Sequence, residues 1–217
     1  MPIAISDDHL TLAATAADLL ENRDARGATR ALLDAPDGSL PEFWEEIAAL
    51  GWLGLHAPED LGGSGFGLEE LVVVVEESGR AVAPGPFVPT VIASAVLVAC
   101  GDRQTQQRLV PGLVDGSTPA GIALAASVEV DGDMVSGQCD AVLGGALAQL
   151  VMLPSGDDVL VVERGDGVSI EVPASLDASR RSARARFDGA RATVLPGARR
   201  HLVDLSRLVL SAEAVGR

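Results

Sequence analysis

The spacing of apolar residues changes at Pro119, and this change constrains the fold more than any other feature. Before Pro119, apolar residues recur at three- and four-residue steps, which is typical of helices. After it they alternate with polar residues between short turns, which is typical of strands. Helical spacing returns at about Arg200. This order predicts an α+β protein with a helical domain at residues 1–118, a small antiparallel β-barrel or sandwich at residues 119–198, and the start of a C-terminal helical domain at residues 199–217.

Five helices are predicted in the first part, at about residues 7–20, 41–50, 68–82, 90–100 and 103–113. Ser6 is a good N-cap for the first helix, whose apolar face begins at Leu10. Pro111 and Gly112 are expected to break the fifth helix. In the second part, Asp131-Gly132 lies between two alternating segments and predicts a β-hairpin.

The last segment carries an apolar stripe that the chain alone has little room to bury. Its members are Leu202, Leu205, Leu208, Val209, Ala212 and Val215. Because the segment stops at Arg217 with no capping glycine beyond it, we expect the chain to be part of a longer protein. A natural end at Arg217 would instead indicate a degenerate subunit.

Composition excludes several classes of function. The formal net charge is −15, which argues against a nucleic-acid partner, and all sixteen basic residues are arginine, which excludes a Walker lysine and a lysine Schiff base. The two cysteines and three histidines do not have metal-ligand spacing, so no metal is expected. No apolar run approaches the ~20 residues of a membrane span, and residues 1–8 do not resemble a secretory signal. We therefore expect a cytoplasmic protein that has no membrane partner.

Several segments, in order, resemble the acyl-CoA dehydrogenase family. They are Phe43–Trp52, Pro58–Gly65, Glu76-Glu77, the Pro84–Pro89 turn, Leu109–Gly116, Ser175–Arg181, Phe187–Gly189 and Ser211–Gly216. The resemblance implies a helical domain, a β domain and a four-helix bundle, with FAD bound between them. It also implies that a glutamate removes the α-proton of an acyl-CoA while hydride passes to the flavin, and that an electron-transfer flavoprotein is the partner of an active enzyme. The glutamate is expected in the bundle, so no catalytic residue is assigned to this chain.

The resemblance also identifies candidate cofactor contacts, at which this sequence departs from the family. Leu124, Ala125 and Ala126 match the end of the family's first β strand, but Ala125 stands where a threonine hydroxyl is expected to bond the flavin. The aromatic-x-threonine contact falls on Ala141, Val142 and Leu143. Each lost polar partner is worth ~1–3 kcal/mol where a buried group is left unpaired. Backbone amides at Ala125, Ala126 and Val142 do not depend on side chains and remain able to contact a flavin. The alternative is that Ala125, Ala141 and Leu143 are plain core residues of the β domain.

Four residues are candidate substrate contacts by the same resemblance. Val88, Val91 and Ser94 match the region that lodges the acyl tail, and Ser127 stands at a shortened acyl-CoA loop. Helix packing is the alternative for the first three. Gly62, Gly63 and Gly65 are interpreted as a tight turn rather than a phosphate cradle, because no strand precedes them.

Three functional hypotheses follow. The first is FAD-dependent α,β-dehydrogenation of an acyl-CoA in lipid or steroid side-chain catabolism, within a larger assembly that pairs the chain with a dehydrogenase-like subunit or with a second copy. The second is a non-catalytic scaffold that stabilises a partner dehydrogenase. The third is an acyl-CoA-binding module that has lost the redox function.

Overall fold

The computed structural model describes residues 6–35, 38–175 and 177–216. Leu176 and the two chain ends, on which some of the sequence interpretations rest, lie outside the described residues. Among the described residues, six α-helices precede the sheet: α1 Asp7–Asn22, α2 Ala25–Leu33, α3 Trp44–Ala49, α4 Leu68–Arg80, α5 Phe87–Cys100 and α6 Arg103–Val114. The strands are β1 Ala120–Ile122, β2 Ser127–Asp131, β3 Met134–Val142, β4 Leu150–Ser155, β5 Asp158–Glu163, β6 Val168–Glu171 and β7 Ala183–Leu195, and helix α7 Arg199–Gly216 follows them.

The first helix begins as the sequence predicts, but its buried face does not begin at Leu10. The Ser6 hydroxyl accepts a hydrogen bond from the His9 backbone N–H at 3.2 Å, which satisfies one of the unpaired donors at the helix start. Leu10 is exposed, whereas Ala16 and Leu20 are buried. The predicted apolar face is therefore wrong at Leu10.

Helix α6 continues through Pro111, so the predicted break is also wrong. Proline in the last turn removes one backbone hydrogen bond. Leu109, Val110 and Leu113 are buried on the same turns, and this burial outweighs the lost bond. The short helix α2 follows Asp24, whose carboxylate accepts from Gly27 N–H, and was missed in the sequence.

The glycine loop between α3 and α4 is a structural turn. A Cβ atom at Gly63 would lie 2.1 Å from the Ala57 carbonyl oxygen, and Gly65 N–H donates to that same oxygen at 2.9 Å. Close backbone approach therefore requires glycine at this position.

The strands form one mixed sheet in the order β1-β4-β5-β7-β3-β2, with β6 paired to β7. The predicted hairpin at Asp131-Gly132 is present between β2 and β3. The α+β class is confirmed, but the sheet is not a closed barrel and is not wholly antiparallel, because β1 pairs with β4 in parallel. A single antiparallel bridge between Ile122 and Leu143 brings the ends of β1 and β3 together.

Apolar side chains cover both faces of the central strands. Along β4 and β5, Met152 and Val161 pack in the cluster that includes the helices, while Leu153 and Leu160 pack in a second cluster formed by residues of the sheet. Side chains alternate between the faces of a strand, so strands buried on both sides are continuously apolar. The site described below lies where the helical cluster meets the open end of this sheet.

Helix α7 packs against α4 and α5. Leu202 and Val209 are fully buried there, which corrects the expectation that this stripe has little to pack on, while Leu208 and Val215 remain exposed. The helices approach closely at Gly79, where an added Cβ atom would lie 2.1 Å from the Glu213 carbonyl oxygen.

Candidate functional site

A cavity of about 430 Å³ opens between the sheet end and α7. Its size falls within the range usual for small-molecule sites. It is lined by Ile92, Ile122, Leu124, Ala125, Ala126, Ser127, Gln138, Asp140, Ala141, Leu143, Ser182, Ser206 and Leu210.

Most of the cofactor candidates meet at this cavity. Leu124, Ala125 and Ala126 form the short connection from β1 to β2, and Ser127 begins β2. Leu143 reaches the same place because its backbone exchanges two hydrogen bonds with Ile122, at 2.9 and 3.1 Å. The sequence interpretation therefore selected residues that the fold brings together.

The other candidates lie away from the cavity lining. Val142 is fully buried inside the sheet, because side chains on β3 alternate between the two faces. Val88, Val91 and Ser94 are buried within α5, and Ile92 is the α5 residue that lines the cavity. The helix-packing alternative fits the positions of these three residues better than a direct substrate contact does.

Sequence reasoning missed several lining residues, chiefly Ile92, Gln138, Ser182, Ser206 and Leu210. A signal for two of them was present in the sequence. Leu202, Ser206 and Leu210 recur at four-residue steps, so they share one helix face, and a serine in an apolar stripe is unusual.

The connection after β1 presents backbone donors. Within the described part of the chain, no hydrogen bond forms from the N–H groups of Leu124, Ala125 or Ala126. Ala125 and Ala141 are exposed, so neither is a core residue. A ligand in the cavity therefore meets backbone donors beside methyl groups.

The mouth of the cavity carries one carboxylate. Asp140 accepts a hydrogen bond from Gln138 Nε2 at 3.1 Å and lies 3.3 Å from Arg184 Nε. Because Asp140 is largely exposed, this ion pair adds little to stability. It sets a polar rim around an apolar interior.

A second polar pair lies near α5. His56 Nε2 is 3.0 Å from Ser94 Oγ, and the Ser94 hydroxyl also lies 3.1 Å from the Val91 carbonyl oxygen. His56 Nδ1 is buried and has no hydrogen-bond partner in residues 6–35, 38–175 and 177–216. Burial lowers the pKa of His56 from 6.5 to about 4, because the charged ring would lose its hydration.

This depressed pKa predicts a specific loss of stability in acid. Since the unfolded chain binds a proton more readily than the folded one, stability from His56 is fully present above pH 6.5 and is lost as the pH falls toward 4. Between pH 7 and pH 5 the expected loss is about 2 kcal/mol. This loss is measured by urea unfolding of the unaltered chain and of His56→Gln at pH 7 and at pH 5. The stability difference between the two proteins should shrink by that amount, and a pH-independent difference contradicts it.

Neither a metal cluster nor a membrane span is found in the described residues. No three His, Cys, Asp or Glu side chains meet there in a way that could hold an ion. None of the described helices combines the length and apolarity that crossing a bilayer requires.

The family follows from the match over the helical part. A family model described as the acyl-CoA dehydrogenase N-terminal domain matches residues 6–117, which are slightly more than half of the chain. The chain belongs to the acyl-CoA dehydrogenase family. FadE34 of Mycobacterium tuberculosis (strain ATCC 25618 / H37Rv), named an acyl-CoA dehydrogenase, is 36% identical over 173 residues, which cover 78% of this chain and 23% of the relative.

Solved structures of this family share the fold. The steroid ACAD Tcur3481–Tcur3483 is 28% identical with a TM-score of 0.86, and the match covers 98% of this chain and 64% of that one. The ChsE4–ChsE5 complex from Mycobacterium tuberculosis has a TM-score of 0.88 at 24% identity, over 100% of this chain and 65% of that one. This acyl-CoA dehydrogenase chain therefore spans less than two thirds of the length of each of these three relatives.

Proposed function

We propose that this chain acts within a larger or hetero-oligomeric acyl-CoA dehydrogenase and is inactive alone. The complete assembly performs FAD-dependent α,β-dehydrogenation of an acyl-CoA in lipid or steroid side-chain catabolism. One observation carries the proposal. The cavity wall has the methyl group of Ala125 and the isobutyl group of Leu143 where the family resemblance calls for hydroxyls.

The cavity residues do not fit a flavin held tightly by this chain. Isoalloxazine carbonyls and ring nitrogens need donors, and the donors available at the β1–β2 connection are the N–H groups of Leu124, Ala125 and Ala126. The exposed methyl group of Ala141 supplies no aromatic contact. Loss of two hydroxyl bonds, each worth ~1–3 kcal/mol, weakens flavin binding by orders of magnitude.

Two further observations support a larger assembly. The resemblance puts the proton-abstracting glutamate in the C-terminal bundle, and the match to Tcur3481–Tcur3483 covers 64% of that chain. That solved relative is described as a steroid ACAD and its name joins two chains. An unlike dehydrogenase subunit is therefore the proposed partner, and a second copy of this chain is the alternative.

The cavity also agrees with an acyl substrate. Ile92, Ile122 and Leu210 give its inner part an apolar lining, which suits the hydrocarbon body of an acyl group. In this proposal, these residues hold and orient the apolar part of the substrate and exclude water from it. An electron-transfer flavoprotein would accept electrons from the complete assembly.

The test is co-expression with acyl-CoA dehydrogenase-like chains encoded beside this one. The chain alone is expected to be colourless and inactive, whereas one pairing should give a yellow complex on gel filtration that oxidises an acyl-CoA. Absence of any complex, or a yellow and active chain alone, contradicts the proposal. A partner that is equally active without this chain would identify the chain as a scaffold instead.

A further inference from the structure

Burial divides the cavity into a mouth and an inner end. Ala125, Ser127 and Asp140 at the mouth are exposed, whereas Ile92 and Ser206 at the inner end are at most 1% exposed. A ligand that fills the cavity therefore loses its water at the end beside α7. Any polar group that it carries there needs a partner from the protein.

Ser206 supplies one polar group at this inner end. Its Oγ atom is buried and has no hydrogen-bond partner among the described residues. The other α-helices of this chain show the usual alternative: Thr11, Thr15 and Ser78 each donate to the carbonyl four residues earlier, at 2.8–2.9 Å. Ser206 makes no such bond.

A buried hydroxyl without a partner is unfavourable unless something else in the site satisfies it. Ser206 lines the cavity together with Leu210, one turn further along α7, and with the apolar residues Ile92 and Ile122. Asp140, the one charged lining residue, belongs to the exposed mouth, and the other polar lining residues, Ser127, Gln138 and Ser182, are exposed or half-buried. The group that pairs with Ser206 is therefore uncharged.

We infer that the cavity takes a largely apolar ligand bearing one uncharged oxygen, a carbonyl or a hydroxyl, and that this oxygen pairs with Ser206 Oγ at the inner end. The inference rests on the proposed function for the cavity itself, and it adds a specificity-determining residue. Substrates that have a plain hydrocarbon group at this position would leave the hydroxyl unpaired and bind less well.

The test uses two probes of nearly equal size, 2-decalone and trans-decalin, which differ in one carbonyl oxygen. Binding to the 217-residue chain is measured by ligand-observed NMR for the unaltered protein and for Ser206→Ala. The substitution should weaken binding of 2-decalone about tenfold and leave binding of trans-decalin unchanged, because one buried hydrogen bond is lost. Ser211→Ala, on an exposed face of the same helix, should change neither affinity.

The melting temperature of the ligand-free chain gives a second measurement. If Ser206 had a purely structural role, its replacement would lower this temperature. Because Ser206 Oγ has no partner to lose in the ligand-free chain, Ser206→Ala should keep or raise the melting temperature. The inference is overturned if Ser206→Ala has a lower melting temperature than the unaltered chain, or if the substitution weakens binding of both probes equally. It is also overturned if neither probe binds the unaltered chain. These measurements need neither flavin nor a partner, so their failure is distinguishable from failure to assemble an active complex.

Discussion

Replacing Gly79 by alanine should lower the free energy of unfolding by about 3 kcal/mol, although alanine is the better helix former by ~1 kcal/mol. The new Cβ atom would lie 2.1 Å from the Glu213 carbonyl oxygen, which is backbone and cannot rotate away. Helix α7 must therefore move off α4, and the buried contacts of Leu202 and Val209 loosen with it. The sign of the effect tests the packing of α7, because propensity alone predicts stabilisation.

Urea unfolding followed by circular dichroism measures this effect, and Gly165→Ala is the control. Gly165 has no atom within 4 Å of an added Cβ, so alanine should change stability there by less than about 0.5 kcal/mol. If Gly79→Ala is as stable as this control, α7 does not pack on α4 as described.

Restoring two hydroxyls to the cavity wall should raise the affinity for FAD at least tenfold. The variant is Ala125→Thr combined with Leu143→Thr, at two positions that line the cavity and that the family resemblance equips with threonine. Each new hydroxyl is expected to contribute about 1 kcal/mol when it bonds the flavin, and the two together about 2 kcal/mol, which is more than tenfold. The change in flavin fluorescence on titration gives the affinity.

The control for this variant is Val130→Thr, which adds a hydroxyl to an exposed position of β2 away from the cavity lining. It should leave the affinity unchanged. If the double variant binds FAD no better than this control, the weak binding has another cause, and the proposed role of Ala125 and Leu143 is wrong.

The sequence predicted the parts of the fold that depend on neighbouring residues. The Ser6 cap, the helix predicted at about residues 68–82 and the Asp131-Gly132 hairpin all depend on contacts within a few residues, and all are present. Closure of the sheet depends instead on pairing between distant strands. The parallel pairing of Ala120 with Leu150 has no local signal, so the expectation of a wholly antiparallel barrel or sandwich was wrong at this pair of strands.

The candidate site was predicted only in part, for a similar reason. Leu124, Ala125 and Leu143 were found because the resemblance aligns strand ends. Helix α5 is apolar on nearly every side, so its periodicity does not tell which residue faces the cavity, and Ile92 was missed beside Val91. Ser206 was missed because the face that α7 turns toward the cavity is set by its packing on α4, which brings together residues more than a hundred positions apart.

Titration of FAD with the unaltered chain tests the central claim most directly. The methyl and isobutyl groups on the cavity wall predict no saturable binding tighter than about 100 μM and no photoreducible flavin retained on gel filtration. Binding at or below about 1 μM, with a flavin that is reduced while bound to this chain alone, would contradict it.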